Sequence, residues 1–174
     1  MELDAARAAL MDVLLDGRPL TEMVDACAGV LGAPVLFMFH GGPEGFLASS
    51  HFPYEEAFHS LFQTQESLIA NQTNVRKAIN AFESLHGLEP FVYQSEKYPD
   101  LPRRLVCVCC AGGRSEGLLS IPEGTVELEE ISRPLISLCA RCLALCLRHR
   151  RDNRENTAFE HAVRMLLGDR HTYI

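Results

Sequence analysis

The chain has 174 residues, enough for one domain with a full core plus appended helices, and its 47% apolar and 22% charged content is that of a soluble globular protein. A formal charge of −7 argues against nucleic-acid binding by the chain as a whole, and no apolar stretch reaches the roughly 18 residues of a membrane span, because Arg141 and Arg148 interrupt the best candidate. Seven cysteines, an odd number, behind a Met1 followed by acidic residues instead of a signal sequence, point to reduced thiols in a cytoplasmic protein.

Leu3, Ala6, Leu10, Val13 and Leu14 recur at helical spacing, with Gly17 placed to end the helix. A second helix follows, capped by Thr21, apolar at Met23, Val24, Cys27, Val30 and Leu31, and stopped by Gly32. Pro34 to His40 is apolar on both alternating faces and predicts a central strand covered on both sides. After the turn GGPEG, Phe46 to Phe52 is its returning partner, ended by Pro53.

Tyr54 to Ala70 carries Ala57, Phe58, Leu61 and Phe62 at helical spacing. The polar NQTN predicts a break, followed by a further helix through Ala78, Ile79 and Phe82 to Gly87. Pro90 to Gln94 is a short strand, and SEKYPDLP is a polar loop. Leu105 to Cys110 and Gly117 to Ile121 are apolar runs joined by turn residues Ala111 to Ser115, a β-hairpin that Pro122 ends.

From Ser132, with Pro134 in the first turn, a helix carries the chain onward. Its apolar positions from Ile131 to Leu147 cover roughly 200° of arc, against the roughly 100° that one surface contact requires. That width predicts two partners for this helix, its own sheet and another subunit. The polar HRRDNREN then precedes a new apolar stripe at Phe159, Ala162, Val163, Leu166 and Leu167. The elements alternate irregularly, which makes the fold class α+β with a mainly antiparallel central sheet, N-terminal helices and a long C-terminal helix. Residues 1–148 read as the domain proper and 149–174 as a polar helical linker and output helix.

This order of elements resembles the GAF/PAS-type sensory domain at the N-terminus of PucR/CdaR-like bacterial transcriptional regulators. The matching pieces are LMDVLLDGRPLTEMVDACAGVLGAPVLF, FLASS, RRLVCVCCAGGRSEGLLSI and AFEHAVRMLLGD. Many relatives have an acidic residue where His40 ends the first strand here. The resemblance implies a non-enzymatic sensor of a small-molecule effector, dimeric through its terminal helices, that meets DNA only through a downstream domain outside this chain.

Among the residues that could carry chemistry, Phe37 and Phe39, Phe58 and Phe62, and Phe91 and Tyr93 are placed to line an apolar cavity between sheet and helices, with Tyr93, His59 and Arg103 at its rim. The expected ligand-binding set is therefore Phe37, Phe39, His59, Phe62, Phe91, Tyr93 and Arg103. Cys139, Cys142 and Cys146 fall within about 60° on one helix face, where cysteine behaves as a small hydrophobe. Should Cys107 and Cys109 meet them, the alternative is a thiol-based redox or metal sensor, or a small thiol enzyme. His40, His51 and His59 stand at unrelated spacings, and no catalytic triad, phosphate loop, cofactor motif or paired-carboxylate motif is present.

Overall fold

The computed structural model describes residues 1–39, 46–53, 65–96, 99, 102–124 and 126–167, with backbone alone for 65–74, 151–161, 164 and 167. Helices α1 (Leu3–Leu15) and α2 (Leu20–Leu31) lead into strand β1 (Leu36–Phe39) and its short partner β2 (Phe46–Ala48). Helix α3 (Gln65–His86) and strand β3 (Phe91–Tyr93) precede the long hairpin β4 (Arg104–Ala111) and β5 (Arg114–Pro122). A 3-10 turn (Leu128–Glu130) then opens onto α4 (Arg133–Leu167). The five strands form one antiparallel sheet in the order β2-β1-β5-β4-β3, so the expected α+β class holds.

Period-two alternation divides the sheet between two layers. Val35, Phe37, Phe39, Leu105, Cys107, Cys109, Leu119 and Ile121 enter the main core with α1, α2 and α4. Val106, Val108 and Leu118 face the other way, against Val75, Ile79, Ala78 and Phe82 of α3, whose spacing puts them on one side of that helix. Leu36 joins Phe52 in a small cluster beside them.

The hairpin turns through Gly112 and Gly113 alone, at φ +61° and +74°, the left-handed pair that a two-residue loop between twisted strands requires. Three boundaries differ from expectation. Asn71–Asn74 does not break α3, because four polar residues cost a helix little when apolar positions on either side keep one phase. Pro19, not Thr21, precedes the first turn of α2, which begins at Leu20. Strand β2 stops at Ala48, where Ser49 turns the chain by accepting the Val35 N–H at 2.9 Å and donating its own N–H to the Val35 carbonyl.

Helix α4 runs unbroken through the polar stretch that follows Leu147. Its wide apolar arc has an internal explanation. Leu135, Ile136, Cys139, Ala140, Cys142, Leu143, Ala144, Cys146 and Leu147 are all buried within this chain, since α4 lies on β4 and β5 and is flanked by α1 and α2. The second surface predicted to be another subunit is the N-terminal helix pair. Leu138 is half-buried and Leu145 is 37% exposed, so these two mark the outward edge of the arc.

Candidate functional site

On the closed side of the sheet, the strand thiols do meet the helix thiols. Cys107 and Cys109 of β4 share the core with Cys139, Cys142 and Cys146 of α4, and Cys27 of α2, unsuspected from spacing, joins them with its Sγ 3.9 Å from the Cys139 carbonyl. Burial pushes the Cys107 thiol up to about 12, with Glu89 adding to it, and burial likewise pushes Cys142 up to about 11. Thiolate chemistry needs the opposite shift. Among the described residues no group of three or more His, Cys, Asp or Glu could hold a metal ion.

The expected ligand set does not converge. Phe37 and Phe39 stack on each other, ring centroids 5.3 Å apart, inside the main core. Phe91 and Tyr93 lie on the opposite face against Phe82 of α3, at 5.1 and 5.0 Å, and the His86 ring stacks on Phe91 at 3.7 Å. The sheet itself separates the two pairs. His59 and Phe62 lie outside the described residues, as do His40 and Phe58; His51 occupies the turn after β2 at φ +63°.

Arg103 is not at the rim beside Tyr93. Its Nε donates to one Glu123 carboxylate oxygen at 2.9 Å, its Nη2 to the other, and Nη2 also reaches Glu129 at 3.2 Å, clasping the base of the hairpin to the 3-10 turn. The pairing holds Glu123 below the usual carboxylate range and raises Arg103. Strand parity gives the place beside Tyr93 to Arg104 instead. The two residues are register partners, and the Arg104 guanidinium lies over the Tyr93 ring at 5.4 Å. Alternation along β4, which puts 103 and 104 on opposite faces, was the signal available for this in the sequence.

The α3 face carries the polar groups. Ser120 is 2% exposed, set between Leu36 of β1 and Val106 of β4, and its hydroxyl has no hydrogen-bond partner among the described residues. Further along β5, the pairing slips between Cys109↔Gly117 and Cys110↔Ser115, leaving Glu116 unmatched in a β-bulge. The Ser115 hydroxyl is likewise buried and unpartnered, and the Glu116 carboxylate, 3% exposed, sits 3.3 Å from Arg114 Nε. Arg76 of α3 pins the bulge by donating to the Ser115 carbonyl at 2.9 Å. A buried hydroxyl without a partner costs roughly 1–3 kcal/mol, a penalty that a bound hydrogen-bonding molecule would remove.

No family model, no curated protein and no solved structure matches this chain. No helix among the described residues is long and apolar enough to cross a membrane. The functional reading therefore rests on the asymmetry between the two faces.

Proposed function

We propose that this chain is a small-molecule-sensing regulatory domain of the kind found in GAF/PAS-type, PucR/CdaR-like bacterial transcriptional regulators, acting in the cytoplasm, with DNA contacted through a downstream domain. The effector lies on the α3 face of the sheet and the response leaves through α4. Support for the GAF-like reading comes from the antiparallel sheet with N-terminal helices and a long C-terminal helix, the elements that the sequence resemblance implies.

The carrying observation is Ser120, a buried hydroxyl with no partner among the described residues, set between two small apolar clusters. Ligand sites combine apolar lining with a few polar anchors in this way. A route to the output helix exists at the hairpin. Arg76 holds the bulge, the strands run on to the turn, and Arg148 of α4 lies directly over Gly112, where an added Cβ would collide with its guanidinium. A ligand that displaces α3 or the bulge would thereby favour one packing of α4 over another.

Dimerisation belongs to the far end of α4 in this reading, where Met165 and Leu166 are 64% and 87% exposed. The test is a thermal-melting screen of metabolites against the parent and Ser120→Ala. A ligand should raise the melting temperature of the parent by mass action and act less on the variant. A broad screen that moves neither protein removes sensing from the account.

A further inference from the structure

Among the described residues Arg104, like Arg133 with its buried and unpartnered Nη1, lacks the carboxylate partner that four other arginines of this chain have. Arg7, Arg18, Arg103 and Arg114 each pair with a carboxylate of the chain. Arg104 is half-buried and its one defined contact is the Tyr93 ring; no acidic side chain pairs with it among the described residues. We propose that the α3 face binds a small carboxylate, held by the Arg104 guanidinium and by the Ser120 hydroxyl as a second anchor. This rests on the sensing reading above and gives its effector a chemical class.

Register sets the geometry. Arg104 is opposite Pro122 and Val106 is opposite Ser120, so Arg104 and Ser120 are diagonal neighbours on one face, with Cα atoms roughly 7–8 Å apart. Phe91 is the register partner of Val106 and Tyr93 that of Arg104, so an apolar floor lies beside the two polar groups on the β3 side. A guanidinium offers a planar fork of donors that matches a carboxylate, and bed and fork together are how arginine recognises small anions. Burial pushes the Arg104 guanidinium below its ordinary value, the mark of a cation that has lost water and gained no counter-charge. An arginine stays protonated nonetheless, and an incoming carboxylate offsets that desolvation.

The molecule expected is thus a small carboxylate with a compact apolar body and a second hydrogen-bonding group. Hexanoate, glutarate and 4-hydroxybenzoate, each against its neutral primary amide, would be titrated calorimetrically into the purified chain at constant ionic strength, with inorganic phosphate as a further anion. At least one acid should bind while its amide and phosphate do not. Arg104→Gln should weaken that binding roughly tenfold or more, as expected for loss of a charge-assisted hydrogen bond, with Arg104→Lys intermediate and Arg103→Gln unchanged. Each variant is compared with its own unliganded melting curve, so a loss of stability is not mistaken for a loss of affinity. Equal binding of acid and amide, phosphate binding as tight as the acid, or undiminished affinity in Arg104→Gln would overturn the carboxylate assignment. If Ser120→Ala still abolished binding of a neutral compound, sensing on this face would stand without it. If no acid bound, the assignment would fall, and if the wider metabolite screen were also silent the sensing reading would fall with it.

Discussion

The two faces of the sheet are built from the same strands and could hardly differ more. Toward α1, α2 and α4, β4 and β5 present Leu105, Cys107, Cys109, Leu119 and Ile121, all buried and apolar, with the glycine at 117 admitting the Phe37 ring. Toward α3, the same two strands present the buried hydroxyls of Ser115 and Ser120, in register with Cys110 and Val106, beside Val108 and Leu118. A closed face fixes which helices pack and in what phase. An imperfectly satisfied face carries a stability cost that a hydrogen-bonding partner would remove.

The most damaging change should come where the closed face is tightest. A Cβ on Gly117 would stand 2.5 Å from the Phe37 ring and 2.6 Å from the Met38 carbonyl oxygen, so neighbouring backbone, not a flexible tip, would have to move. Gly117→Val should destabilise by about 3 kcal/mol or more, at the upper end of overpacking costs. Urea denaturation indistinguishable from the parent would mean that Phe37 and β1 are not where they are described.

A pair of truncations measures the asymmetry directly. Leu143→Ala, in the fully buried heart of α4, should cost about 2–5 kcal/mol. Val108→Ala on the α3 face removes two carbons and should cost roughly 1–2 kcal/mol. Comparable losses in the two variants would dissolve the distinction between a thick face and a thin one.

Alkaline titration sharpens the same contrast through the thiols. Burial raises Cys107 to about 12 and Cys142 to about 11 from an ordinary 9.0, so the folded state favours the neutral thiol. That contribution is fully present below pH 9 and is lost as pH rises through 11 and 12, because the unfolded chain releases its protons first. Unfolding free energy should therefore fall between pH 9 and 12, and Cys142→Ala should flatten the slope. Under native conditions near neutrality, Cys110, the half-buried cysteine on the α3 face, should react with a thiol reagent before the other six. Fast reaction of several thiols would favour the redox alternative.

The smallest effect on stability is the most telling for function. Ser120→Ala deletes a buried hydroxyl with no partner among the described residues, and should leave the unliganded melting curve unchanged or raise stability by up to about 1 kcal/mol. Its cost should be confined to ligand-induced stabilisation. A clear loss of unliganded stability would show that the hydroxyl is satisfied within the fold.

Much of this was legible from residue order. Glycines 17, 32, 112 and 113 mark the helix ends and hairpin turn where left-handed backbone is required, and the runs 105–110 and 117–121 already contain the central pair of strands. The candidate site was less legible. Aromatic pairs at 37/39 and 91/93 look equivalent as patterns, and nothing local says that their strands present them to opposite faces of the sheet. Arg103 and Arg104 differ by one residue, which in a strand is a whole face, and only the register with β3 puts Arg104 beside Tyr93.

By itself the sequence determined the local elements, since turn glycines, helix periodicity and strand alternation are properties of neighbours along the chain. It also determined that α4 would be buried over a wide arc. What covers that arc, α1 and α2 instead of a second subunit, was decided by tertiary packing, because apolar area has no address and is satisfied by whichever surface the topology brings near. Tertiary structure decided the electrostatics too. Arg103 and Arg104 carry the same charge on adjacent residues, yet sheet register gives one two carboxylates and the other an aromatic ring, and only that difference turns a basic residue into a candidate anchor for an anion.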